Sequence, residues 1–80
     1  MNEQVNEQLR ERVIEATGVD QRLIFDWIRD GEITYENAYD CAARLVSSMS
    51  QVYTAEGRRF PITVDQVAEY FRDALAEVSG

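Results

Sequence analysis

Acidic side chains recur every fourth residue at two places in this 80-residue chain. Glu3, Glu7, Glu11 and Glu15 run through NEQVNEQLRERVIEA, and Asp65, Glu69, Asp73 and Glu77 run through DQVAEYFRDALAE. On a helix such neighbours stand about 6 Å apart, one turn from each other. Paired carboxyls can act as general acid and base, but that work needs two unlike environments beside a cleft, and these rows read as uniformly wet. They can also present a line of charge to a basic surface and, at the limit, imitate a phosphate backbone. The plainest role is to solvate the outer face of a packed helix. Like charges at this spacing cost only about 0.2–0.5 kcal/mol per pair, so the rows need no ligand to be tolerated. Glu32, Glu36 and Asp40 make a third, shorter row.

Other chemistry is narrowed by residue types that are missing. There is no histidine, which removes the usual neutral-pH proton carrier and the commonest metal ligand. A single cysteine, Cys41, can form neither an intramolecular disulfide nor a cysteine metal cluster. With no histidine to activate it, Cys41 reads as a small hydrophobe at the border of a helix stripe. Every basic residue is arginine, and the one cluster is Arg58–Arg59 in GRRFP. That pair could take an anion or a partner carboxylate, or it could simply solvate a loop beside a helix C-terminus. A net charge of −7 disfavours nucleic acid and anionic lipid as partners and favours a basic protein surface. The expectation is therefore a protein that is not an enzyme and has no metal or cofactor.

Helical elements must position these groups. Leu9, Val13 and Ala16, with Val5 before them, share one side of a helix over about residues 3–16, opposite the glutamates. Thr17 and Gly18 stop it. Asp20 caps a second helix, DQRLIFDWIRD, ended by Gly31; its apolar residues cover so many sides that it reads as the central or most interactive element. Thr34 is placed to cap a third helix whose stripe runs Tyr35, Ala38, Ala42, Leu45, Met49 and Val52, broadened by Tyr39, Val46 and Tyr53. The fourth carries Val64, Val67, Phe71, Ala74 and Val78, broadened by Ala68 and Leu75. Both stripes alternate steps of three and four, the spacing of bundle helices. Thr63 and Gln66 form a capping box, with Ile62 and Val67 as its hydrophobic staple. Gly57 turns the connection TAEGRRFPI, in which Pro61 pushes Phe60 towards an extended conformation.

Two words, FDWIRDGEI and ITVDQVAEYF, resemble segments of excisionase-type helix-turn-helix domains. The resemblance covers about a quarter of the chain and implies DNA contact through Arg22 and Arg29. The two words stand in reversed order here, Asp26 and Asp30 flank the arginines, and helical TYENAYDCAARL replaces the basic wing expected after Ile33. Acyl carrier proteins are similar in being small acidic helical bundles. Their Asp-Ser-Leu attachment site has no counterpart, since Asp40 is followed by Cys41 and Ala42.

Taken together, the sequence predicts one all-α domain spanning residues 1–80, a small four-helix bundle ending in a helical hairpin. The expected function is protein–protein interaction by a regulator, of a kind that size and arginine usage associate with bacteria or phages. Phe25, Trp27, Tyr39 and Tyr53 are the candidate partner-binding anchors, with Asp65, Glu69, Asp73 and Glu77 steering a basic partner. An acidic DNA mimic and a helix-turn-helix DNA binder are the alternatives, direct nucleic-acid binding being disfavoured. Ile14, Phe25 and the tyrosines exceed what so small a core hides, which points to homodimerisation. The unpaired cysteine and the absence of a signal or membrane segment place it in the cytoplasm.

Overall fold

The computed structural model describes the backbone of residues 2–79 and the side chains of residues 7–78. Four helices follow in order: α1 (Asn2–Thr17), α2 (Gln21–Arg29), α3 (Ala38–Ala55) and α4 (Val64–Ser79). The chain is 74% helical with no strand among the described residues. The bundle measures 41 × 29 × 19 Å. Its thin dimension is about two helix diameters, so the helices form two layers.

Local chemistry fixes most of the ends. The Asp20 carboxylate accepts the Leu23 N–H at 3.0 Å and starts α2. Such a cap contributes about 1 kcal/mol. After α2 the Gly31 N–H bonds Ile28 O at 3.0 Å and the Glu32 N–H bonds Trp27 O at 2.9 Å. The same pair of bonds closes α3, from Gly57 to Thr54 O at 2.9 Å and from Arg58 to Tyr53 O at 2.8 Å. Each is a Schellman closure, which requires the left-handed backbone of Gly31 (φ 82°) and Gly57 (φ 75°). At α4 the Gln66 N–H donates to Thr63 Oγ1 (3.2 Å) and the Thr63 N–H to Gln66 Oε1 (2.9 Å), the reciprocal box expected. Ile62 and Val67, its staple, are both buried.

The start of α3 differs from the sequence expectation. Thr34 does not cap α3. Its N–H donates to Asn37 Oδ1 at 2.7 Å and its hydroxyl accepts the Asn37 N–H at 3.3 Å, which closes a separate turn. Asn37 also reaches back to Glu32 O at 3.0 Å. The reciprocal Thr34–Asn37 pair thus closes around an isolated turn, and the regular helix starts only at Ala38. Tyr35 is consequently outside the stripe and 56% exposed.

The centre of the molecule is α4, not α2 as the breadth of apolar residues on α2 suggested. Helix α4 makes the principal contacts with each of the other three. It buries Val67, Ala68, Tyr70, Phe71, Ala74 and Leu75. At 100° per residue these occupy an arc of roughly 160°. In α2 only Ile24 is fully buried, and Leu23 is left exposed. Val13 and Ala16 supply the α1 side of the core, as their spacing predicts, while Val19 and Ile33 plug it from the connections. The expectations for Glu3 and Val5 concern side chains outside the described residues. Two stripe positions fail at helix ends: Val52 and Val78 are half exposed. In place of Val52 it is Tyr53 that turns inward, because its hydroxyl donates to Ala16 O at the end of α1 (2.9 Å). That ring also meets Phe60 edge to face, with centroids 5.2 Å apart.

Two buried tyrosines therefore differ. Tyr53 has an acceptor, whereas the buried Tyr70 Oη has no hydrogen-bond partner among the described residues. Burial pushes the Tyr70 hydroxyl from its ordinary 10.0 up to about 12; Arg10 opposes the shift, and Asp20 and Glu77 add to it. A raised folded-state value means that the associated stability is whole below pH 10 and is lost as pH rises towards 12. Urea unfolding should show Tyr53→Phe destabilised by about 0.5–1.5 kcal/mol at pH 7, because the Ala16 carbonyl loses its donor. Tyr70→Phe should be neutral or stabilising at pH 7 and should lessen the loss of stability above pH 10. A clear destabilisation by Tyr70→Phe would contradict this assignment.

Candidate partner-docking surface

Helices α2 and α3 pack on α4 rather than closely on one another. A groove of about 260 Å³ opens between them. Phe71 of α4, 1% exposed, forms its floor; Trp27 of α2 and Leu45 of α3 line it, with Ile33 and Cys41 from the intervening turn and the start of α3. Trp27 and Leu45 are only partly buried and are packed against the core. Cys41 is held there by a weak contact from Sγ to Glu32 O at 3.5 Å. Its position between Glu32 and Leu45 fits the packing role read from the sequence. Glu32 and Arg44 stand at the mouth.

The groove itself is lined by one acid and one base, Glu32 and Arg44, whereas the chain segment that supplies most of its walls is acidic. Between Asp26 and Leu45 the chain has five acids, Asp26, Asp30, Glu32, Glu36 and Asp40, all exposed, against Arg29 and Arg44. Arg29 is partly neutralised by Asp26 at 3.6 Å. Arg22 and Arg29, the pair a helix-turn-helix reading needs, both lie on the exposed side of α2.

The expected anchors do not form one patch. Phe25 lies on the other flank of α2, where it shares a separate groove with Ile28 and Val78. On the helical wheel Phe25 and Trp27 stand roughly 160° apart, so a single partner surface cannot use both equally. Tyr39 is half exposed on α3, whereas Tyr53 is a core residue with its hydroxyl committed to α1.

The C-terminal acids separate as well. Asp65 and Glu69 are exposed, as are Glu7, Glu11 and Glu15 on α1. Asp73 is partly buried. Glu77 lies 3.6 Å from Arg10 and accepts a 2.9 Å hydrogen bond from Gln21 Nε2, tying α4 to α1 and α2. A step of four residues advances 400°, so such a row drifts by roughly 40° per member and 120° over four members. The row begins on the outer face and ends against the neighbouring helices. Sequence spacing alone could have shown this drift, but not which neighbours it meets.

Comparison with protein-family models, with curated proteins and with solved structures finds no match. Among the described residues no group of His, Cys, Asp and Glu side chains is arranged to hold a metal ion. No described helix is long and apolar enough to cross a membrane.

Burial raises the Asp73 carboxyl above its ordinary range; Arg10 opposes the shift and Glu77 adds to it. For an acid whose folded value is raised, the carboxylate costs stability at neutral pH, and the cost vanishes as pH falls below the unfolded value of about 3.9. Asp73→Asn should therefore stabilise the fold slightly at pH 7, by about a few tenths of a kcal/mol, because a partly buried position no longer holds a charge. Thermal melts at pH 7 and at pH 3 should show the gain at the first and its loss at the second. An equal gain at both would exclude titration of Asp73 as the cause.

Proposed function

We propose that this protein is a non-enzymatic docking module whose α2–α3 groove receives a basic amphipathic segment of a partner protein. The observation that carries the reading is the groove itself: an apolar floor and walls, Phe71, Trp27 and Leu45, set within a segment where exposed acids outnumber bases five to two. An apolar side chain entering the groove would supply the anchor, and the surrounding carboxylates would steer and orient a basic flank. Aliphatic and aromatic anchors seated in pockets commonly dominate such interfaces, while charges at the rim act mostly on the rate of encounter. The unpaired Cys41 fits a reducing cytoplasmic setting. Imitation of DNA draws less support, because Asp73 is partly buried and Glu77, though exposed, is engaged by Arg10 of α1 and Gln21 of α2.

Trp27 is the only tryptophan in the chain, so its emission reports directly on the groove. Titration with a tryptophan-free amphipathic peptide, leucines on one face and arginines on the other, should shift that emission saturably. Leu45→Asp should weaken binding about tenfold, and Glu32→Arg combined with Glu36→Arg should weaken it most at low salt. A scrambled peptide of equal charge, lacking the apolar face, should bind much less. Equal binding of the two peptides would reduce the interaction to unspecific charge attraction and refute the docking role.

A further inference from the structure

A second groove, of about 350 Å³, lies between the C-terminal part of α1 and the loop that follows α3. Its floor is apolar, built from Ala16, Tyr53, Pro61 and Ile62. Two guanidinium groups from distant parts of the chain, Arg12 and Arg58, line it. We propose that it binds an organic carboxylate with a short apolar body, the carboxylate held between the two arginines and the body laid on the floor.

The arrangement is partly organised in advance. The Arg58 guanidinium carbon stands 4.8 Å from the centre of the Tyr53 ring. That ring is fixed in turn by its hydroxyl bond to Ala16 O and by the edge of Phe60. Stacking of this kind orients the planar donor fork, so less freedom is lost when an oxyanion binds. Arg58 retains capacity because its only ion pair among the described residues, with Glu56 at 3.7 Å, is exposed and weak. Arg12 makes no ion pair among the described residues and completes the pair from α1. Glu15 also lines the groove and sets the ligand class. Its charge opposes a compact dianion such as phosphate more than a monocarboxylate, whose apolar part also gains from the floor. The carboxylate could come from a free acid or from the C-terminus of a peptide.

Amide-detected NMR titration of the intact chain with 3-phenylpropionate tests the proposal. Saturable shifts should appear at Ala16, Arg58 and Ile62 with a dissociation constant on the order of 1 mM. The neutral alcohol 3-phenylpropanol and inorganic phosphate should each bind at least about fivefold more weakly. Arg12→Gln and Arg58→Gln should each reduce affinity by a similar factor, Glu15→Gln should increase it, and Arg59→Gln, outside the groove, should leave it unchanged. The same spectra report whether each variant is folded. A tripeptide with a free C-terminus binding better than its amidated form would assign a peptide source, and binding of phenylpropionate alone a free acid. Absence of saturable shifts, phosphate binding as tightly as phenylpropionate, or shifts unaffected by both groove-arginine variants would overturn the site.

Discussion

One helix has to serve as the wall for the other three, and that constraint organises the molecule. A chain of 80 residues buries only about 60% of its unfolded surface. It cannot give each helix pair a core of its own. Helix α4 solves this by burying roughly 160° of its circumference. Phe71, at 1% exposure, stands between the α3 side of the core and the groove beside α2. Burying a side chain of that size contributes about 1.5–3 kcal/mol. The other helices then need only a narrow apolar face each, Val13 and Ala16 on α1 or Ile24 on α2.

The same constraint shapes the surface. Because α2 and α3 both lean on α4, the space between them remains open above the buried Phe71. The arc left to solvent on α4, about 200°, holds all four acids, but their drifting row ends close to its edge. Asp65 and Glu69 lie in its middle, Asp73 is partly buried, and Glu77, though exposed, meets Arg10 and Gln21. Part of what looks like a uniform negative face is therefore a clamp between helices. Exposed acids remain along α1, at the start of α4, and through α2 and the turn before α3, where Glu32 borders the open groove.

Signals confined to a few neighbouring residues were legible in the sequence. Asp20 as a cap, Gly31 as a helix stop and the Thr63–Gln66 box all depend on bonds spanning three to five residues, and each appears as read, while Gly57, read as a turn, also closes α3. The all-α hairpin-containing bundle followed from the apolar periodicity. What escaped depends on contacts between distant residues or on competition between near equivalents. Thr34 makes its reciprocal pair with Asn37, but around a separate turn, so the helix proper begins at Ala38. Val52 and Tyr53 are adjacent and both apolar; the carbonyl of Ala16, 37 positions away, decides which turns inward. Tyr70 stood between the acidic row and the core face, and only the assembled fold shows that it is buried. For the same reason the groove that Trp27 shares with Leu45 and Phe71, and the placing of Arg12 and Arg58 on one groove, are set by the fold and not by any local spacing.

Native-state hydrogen exchange tests most directly whether α4 is the common wall. If every other helix depends on it, the amides of residues 67–75 should be the slowest in the protein and should exchange only through global unfolding. Amides in α1, α2 and α3 should open at equal or lower free energy. Slowest exchange in α2 or α3, with α4 opening through a lower-energy local event, would contradict the account.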